Sequence, residues 1–507
     1  MNMPATIPQV EIECNGARVS ADLLSRLVSV RVQQRLSLPT ACDLVFIDPA
    51  HLLGPDDGLT AIDSSLRVTI RDAECDLFAG EITGIEWSYH AGRGREIKVR
   101  AYDVLNRLGR RQKVRAFVQS SLEDIARELT SDLGIDVGVI ARDHIWDRVI
   151  QHDQTDLQFL AELAERQGLY FYLQDRTLHL ATLDAFKPLI ELGLGLELLE
   201  AEIARNDIAS SSGVAIAGWD ANRSEKLLAK SEAARLPDGS LTAIAPVGDA
   251  ATFERTLVNQ PSRDAAELAI RAQAEFDFRA AQRLRLTAIA NGNPALRHGT
   301  LVRVAGVEQA LAGPYPLTSV NHVIDADSGY VCELDSMPQR SPPRRHGLST
   351  TLGIVSRTDD PDSLGRIQVA LPAFGEIETG WVQSVSPWAG AGKGFMSQPD
   401  VDDMVLFLFF DADLTQGVVL GSFYGTGGPP EDWSKVAEGQ CYSFTTPGGQ
   451  RFRLDDARGT VRLENKRGGY VELSPDLATL HATSELRIEA PGQPVIIRGA
   501  TIDFEQA

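Results

Sequence analysis

Gly390-Ala391-Gly392-Lys393-Gly394 is the stretch whose spacing comes nearest to a known chemistry. A glycine-rich loop ending in lysine cradles phosphates with backbone N–H groups and an ammonium. The full pattern needs a glycine five residues before Gly392 and a hydroxyl side chain after Lys393, and the chain has Pro387 and Gly394 there. The stretch therefore predicts a glycine-rich turn between strands. Asp359, Asp360 and Asp362 could hold a hard cation through their oxygens, but they lack the ordered spacing of a calcium loop and flank Pro361, which predicts a turn. Asp411 and Asp413 read the same way.

The nine histidines, among them His144, His152, His298, His322 and His481, form neither an HExxH nor an HxH pair, so no metal is expected. There is no GxSxG elbow and no cysteine–histidine pair of recognisable spacing. Carboxylate pairing at hydrolase distance is a spatial matter, and 70 acidic residues leave it open. The basic run over 107–115 suits an anion or, more simply, a solvated strand end. These residues give no catalytic, metal or cofactor site to assign.

The elements that would position any site come from a chain of 507 residues, long enough for three or four domains. Hydrophobic and charged fractions of 43% and 23% are those of an ordinary globular protein. The net charge of −21 opposes binding to nucleic acid or an anionic membrane and suits basic protein partners. Cys14, Cys42, Cys75, Cys332 and Cys441 are odd in number, widely spaced and without a CxxC, which predicts buried or idle thiols. The first residues, MNMPATIPQV, have no basic and apolar leader pattern. The longest apolar run, 405–410, is too short to span a bilayer.

Strand alternation fills the first 118 residues: Val10, Ile12 and Cys14, then Val28, Val30 and Val32, then 44–47, then Leu66, Val68 and Ile70. A hairpin is expected around Gly92-Arg93-Gly94. Two helices follow. Ser121 with Asp124 opens the first and Gly134 stops it; Thr155 with Gln158 opens the second and Gly168 stops it. After a less legible stretch (181–260), a helix is expected over 262–283 and strands over 284–290, 301–304, 315–324 and 330–334. Residues 77–89 and 311–324 share a Gly followed by an apolar–Thr–x–apolar alternation, an internal repeat that suggests two related barrels.

A Pro- and Arg-rich linker (336–349) precedes five β-rich apolar runs: Ile354 and Val355, Ile367 and Val369, Trp381 and Val382, 405–410, and 418–420. Five short strands in about 75 residues predict a small barrel of the oligonucleotide/oligosaccharide-binding (OB) type. A second linker (424–435) leads to a tail of alternating pairs: Phe452/Leu454, Val461/Leu463, Val471/Leu473, Leu480, Leu486/Ile488, Val495/Ile497 and Ile502/Phe504. Seven such strands with no helix would leave an apolar stripe and open edges in a monomer. Three copies around one axis would bury the stripe, with Phe452, Leu454, Val461, Leu463, Val471, Leu473, Leu480, Ile488, Ile497 and Phe504 as the trimer core. The alternative is a flat meander packed on the chain's own barrel.

The stretch GIV…DDPDSLGRIQV…WVQSVSPWAGAGKG…GVVLGS.Y resembles the barrel of VgrG-type spike proteins of phage baseplates, type VI secretion and extracellular contractile injection systems, with Gly365, Arg366, Trp381, Pro399 and Gly421 in its motif. QHDQTDLQFLAELAERQGLYFYL (151–173) resembles the insert of phage late-control and VgrG hub domains. The chain departs from that pattern at 400–404, where PDVDDMV replaces PxVGxxV, and at Phe410-Asp411, where Gly-Asp is common. Both put turn geometry in doubt.

The resemblance implies a mainly β chain with an α+β insert: hub β-barrel 1 over 1–118, the insert over 119–260, a helix and hub β-barrel 2 over 261–345, a five-stranded OB-fold neck over 346–430 and a trimeric β-helix or prism needle over 436–507. It further implies a non-enzymatic homotrimer that caps a hexameric inner tube protein, contacts baseplate proteins and carries a PAAR-type tip protein at its C-terminus. Such a spike is assembled in the cytoplasm, leaves in an extracellular or phage tail-like particle, and meets a membrane only by puncture. With about 15 residues between barrel and prism and an end at Ala507, no lysozyme or effector domain is expected. The competing expectations are a cell-wall hydrolase on a β-scaffold, or a glycan-binding module using Trp381, Trp388 and Phe395.

Overall fold

The computed structural model describes residues 8–48, 53–54, 58–71, 73, 75–91, 94–138, 144–206, 211–220, 225–239, 253–258, 262, 264–341, 347–410, 413–429 and 441–505. Gly92, Arg93, Asp411, part of the 336–349 linker and half of the 424–435 linker lie outside the described residues. The chain divides into two units, Met1–Ser422 and Phe423–Ala507. No described helix is long and apolar enough to cross a membrane.

The first unit is built on one eleven-stranded sheet that serves two cores. Strands Val10–Cys14, Leu27–Arg35, Ala41–Ile47, Ser65–Ile70, Phe78–His90 and Gly94–Tyr102 wrap the first core around Phe46, Leu44, Ile82 and Ile97. Alternation explains the facing, since every second side chain points inward. Val28 is the exception. A register shift between Leu27 and Ser29 turns it outward, 41% exposed, while Val30 and Val32 stay buried.

Strands Leu198–Arg205, Leu284–Asn291, Ser319–Asp325 and Gly329–Asp335 continue the same sheet over the second core, around Leu286, Val302, Tyr315 and Leu334. Two strands from the less legible stretch belong here. Leu198–Arg205 pairs antiparallel with Leu284–Asn291, and Leu189–Gly193 runs parallel to Leu301–Ala305. Two related barrels were expected, and the strands of both halves lie in one sheet. Ser319–Asp325 hydrogen-bonds along Leu27–Arg35, Val323 opposite Arg31, so the two halves share a seam. The repeated segments both feed hairpins, Phe78–His90 with Gly94–Tyr102 and Ser319–Asp325 with Gly329–Asp335.

Between them in sequence lie three helices of 9, 11 and 17 residues among the described residues, besides the single turn Asn106–Gly109. α1, Leu122–Thr130, and α2, Asp156–Arg166, both open with full capping boxes, Ser121 with Asp124 and Thr155 with Gln158. α3, Ala265–Ala281, is capped by Asp264, whose carboxylate accepts the Ala266 N–H at 2.8 Å. α3 packs on strands Gly213–Asp220 and Glu225–Ser231 through Leu268, Ala272 and Phe276.

The OB-type module has a six-stranded sheet, one more strand than expected, because the two-residue strand Ile377–Glu378 pairs on its edge. The expected run at Trp381 and Val382 contributes a single bridge, Ile367 to Val382, with its strand displaced to Gln383–Ser384. Gly417 sits where a Cβ would come within 2.4 Å of the Leu408 carbonyl and the Phe407 ring, so only glycine fits. The core is not the module's own. Ile150 from strand Trp146–Gln151 is buried among Val355, Val369, Phe407 and Val419, and Arg148 donates to the Glu378 carbonyl at 2.9 Å. The insert thus adds a side chain to the core of the OB-type module.

The second unit is an antiparallel meander of five strands, Cys441–Thr445, Arg451–Asp455, Thr460–Glu464, Tyr470–Leu473 and Ala478–His481. Seven were expected from Phe452 onward. Cys441–Thr445 precedes that point, and the pairs at Leu486/Ile488, Val495/Ile497 and Ile502/Phe504 have no strand partner within residues 482–505. Alternation alone does not make a strand; a ladder needs a neighbour to hydrogen-bond.

Candidate functional site

The glycine-rich stretch is a turn. Gly390 and Lys393 bridge to each other, Gly392 and Gly394 have positive φ, and no helix follows to receive a phosphate. The aspartate cluster is also a turn, and its centre is already occupied. Asp360 is buried beneath the Arg366 guanidinium, 2.6 Å away, and accepts the N–H groups of Asp362, Leu364 and Arg366. Arg366 holds its carboxyl far below the usual range. Asp413 serves Thr415 in the same local way, accepting its N–H at 2.9 Å.

The basic run over 107–115 is spent on carboxylates. Arg111 and Arg115 converge on Asp156 at the start of α2, at 3.4 and 2.6 Å, and Gln151 adds a third donor at 2.9 Å. Arg107 pairs with Glu81 and Arg110 with Asp63. His298 and His322 are buried in the second hub half. The His322 Nδ1 lies 3.0 Å from the Tyr330 hydroxyl and 3.2 Å from the Cys332 thiol. Burial, reinforced by Arg297, pushes both imidazoles down to about 3, so they are neutral packing groups. Burial also pushes the Cys332 thiol up to about 11, away from the reactive thiolate. His481 stacks on Tyr470 at 5.0 Å between centroids.

Of the OB motif residues, Gly365 has φ +70 in the Asp360–Arg366 turn, and Trp381 takes the Arg357 guanidinium at 5.2 Å from its ring centre. Pro399 precedes the turn at 400–403, and Gly421 lies at the exposed end of strand Asp413–Phe423. The departure from PxVGxxV now has a structural meaning. Asp402 stands at the glycine position with φ +73, its N–H bonded to the Val355 carbonyl at 2.9 Å. Aspartate is among the few side chains that tolerate this region, so the turn keeps its shape without glycine.

The tail carries the feature that the earlier sites lack, an open surface of one chemistry. Register puts Phe444, Phe452, Leu463, Val471 and Leu480 in one row across all five strands, and Tyr442, Leu454, Val461, Leu473 and Ala478 in the next. Exposure runs from 37% at Phe452 to 59% at Tyr442 among the large apolar side chains of these rows that are exposed. Ile488, Ile497 and Phe504 are 62%, 60% and 90% exposed. The opposite face is charged. Arg462 pairs with Glu464 and Glu472 at 3.1 and 2.9 Å and lies 3.9 Å over the Tyr470 ring. Tyr442 and Phe444 escaped the sequence reading, although their spacing before the Pro447-Gly448-Gly449 turn carried the same alternation.

Residues 351–424 match the family described as the type VI secretion system/phage-baseplate injector OB domain. Residues 65–326, more than half of the chain, match the Alg8 N-terminal domain family. Along 86% of its length the chain is 22% identical to the type VI secretion system spike protein VgrG1b of Pseudomonas aeruginosa. The chain belongs to the Alg8 N-terminal domain family, and its curated relatives are VgrG-type spike proteins. It spans 63% of the length of VgrG1b. Two solved structures share the VgrG-type fold. One is E. coli c3393, a type VI secretion component with structural similarity to the T4 bacteriophage tail proteins gp27 and gp5 (TM-score 0.55, 14% identity, 81% of this chain and 99% of that one). The other is the lidded Francisella PdpA-VgrG complex (TM-score 0.56, 8% identity, 94% of this chain and 80% of that one). The VgrG-type chain is thus mainly β, with an OB domain, as its sequence predicts.

Proposed function

We propose that this chain is the non-enzymatic, homotrimeric spike of a contractile injection system. The observation that carries the reading is the tail's apolar face. A five-stranded sheet with two full rows of half-exposed apolar side chains is a liability in a lone chain and a core in a threefold assembly. Phe452, Leu454, Val461, Leu463, Val471, Leu473 and Leu480 face the shared axis, and Ile488, Ile497 and Phe504 pair across chains farther along. The work is mechanical: the hub halves of three chains present six similar surfaces to a hexameric inner tube protein, and the tail transmits thrust.

Baseplate proteins surround the hub, a PAAR-type tip protein caps the C-terminal end, and the spike is assembled in the cytoplasm for delivery within an injection particle. Support comes from spike relatives in type VI secretion and from a solved complex of a VgrG protein with PdpA. Electron microscopy of the purified chain tests it. Threefold-symmetric class averages are expected; a field of asymmetric single-chain particles contradicts the proposal. Zymography on peptidoglycan is expected to show no clearing.

A further inference from the structure

We propose that the charged face of the tail sheet holds a binding site for a phosphate-type anion, in the cradle formed by Arg451, Arg453, Arg458 and Arg462. Arg453 and Arg462 stand directly opposite each other on neighbouring strands, which brings two guanidinium groups to one place on this face. The cradle encloses a cavity of ≈ 140 Å³, far above the ~15 Å³ that one water needs. Four guanidinium groups line it against three carboxylates.

Those carboxylates are committed. Asp455 accepts from Arg453 at 3.2 Å, and Glu464 and Glu472 accept from Arg462. A guanidinium carries five N–H donors in a planar fork, a geometry suited to a tetrahedral oxyanion. Arg458, in the turn between two of the strands, makes no ion pair with any described residue. Beside Arg451 in the ladder, the Thr445 hydroxyl is buried without a hydrogen-bond partner on the same face. Charge balance agrees. Residues 441–505 have eight basic against nine acidic side chains, whereas the whole chain has 49 against 70. Arginine is the side chain suited to bidentate phosphate recognition, and the phosphate can come from free oxyanion or from a phospholipid headgroup.

Titration calorimetry of the full chain with inorganic phosphate at low ionic strength tests the site, with flotation on phosphatidylglycerol vesicles and on phosphate-free glycolipid vesicles as the second arm. One saturable phosphate site per chain is expected, weakened about tenfold by Arg458→Ala and unchanged by Arg487→Ala. Arg458 lies in a turn, and a thermal melt of the variant confirms its fold. Flotation on phosphatidylglycerol that Arg458→Ala abolishes, without binding of free phosphate, assigns the lipid headgroup as the source and keeps the site. Equal binding by the wild type and Arg458→Ala, equal flotation on both vesicle types, or no binding in either arm overturns it.

Discussion

The Arg340 guanidinium lies 3.8 Å over the ring of Phe278 in α3 and within 2.6 Å of Glu275 and 3.3 Å of Glu165. It ties the start of the 336–349 linker to both α2 and α3, while the Glu165 carboxylate also accepts the Ser341 N–H at 3.3 Å. Burial raises the Glu165 pKa, whereas at Glu275 the nearby Arg340 and Arg279 outweigh burial and lower it. The first residues of a segment whose composition reads as a loose connector, 336–341, are therefore strapped to α2 and α3.

Arg340→Ala removes a cation–π contact and two ion pairs at a half-buried position. It is expected to cost about 1–3 kcal/mol in chemical denaturation and to open the 336–349 segment to limited proteolysis. Unchanged stability and proteolysis would show the strap to be incidental.

At Asp402 the backbone asks for a left-handed residue. Asp402→Gly should hold or raise stability within about 1 kcal/mol, and Asp402→Val should lower it by about 1–2 kcal/mol. Thermal melts of the two variants decide this, and equal melting would remove the backbone explanation for the departure from glycine.

His298 and His322 make the hub acid-sensitive. An unfolded imidazole takes its proton near 6.5, and these two take theirs at about 3, so as pH falls from 6.5 toward 3 the unfolded state binds up to two more protons. Stability is present above 6.5 and is lost across that window, at roughly 1–2 kcal/mol per pH unit for each ring. Denaturation at a series of pH values should show this slope, and His298→Gln should shallow it by about one proton. An identical slope in the variant would exclude His298.

Much of the fold was legible because local physics decided it. Both capping boxes, and with them α1 and α2, follow from side chains that satisfy the first N–H groups of each helix. The OB core was visible in Val355, Val369 and Phe407, whose alternation is simple. Ile150 in that core was not legible, since its partners lie more than two hundred residues away. The seam between Leu27–Arg35 and Ser319–Asp325 was hidden for the same reason. In the tail the apolar rows were readable, while the Arg453–Arg462 juxtaposition depends on register, which no single strand reveals.

Arg366 holds the turn of the OB motif by filling the space between Asp360 and Asp362. Arg366→Ala strands the buried Asp360 carboxylate and should cost about 3–5 kcal/mol, measured by denaturant melts. A loss under about 1 kcal/mol would mean that the backbone N–H groups around Asp360 suffice without the arginine.

The mass of the full chain in solution, by light scattering at micromolar concentration, tests the threefold account most directly. A chain of 55.1 kDa should run at three times that mass, about 165 kDa, and charge placed on the apolar rows by Leu463→Asp with Leu473→Asp should return it to a single chain. A stable, monodisperse 55.1 kDa species in the unmutated protein would contradict the account.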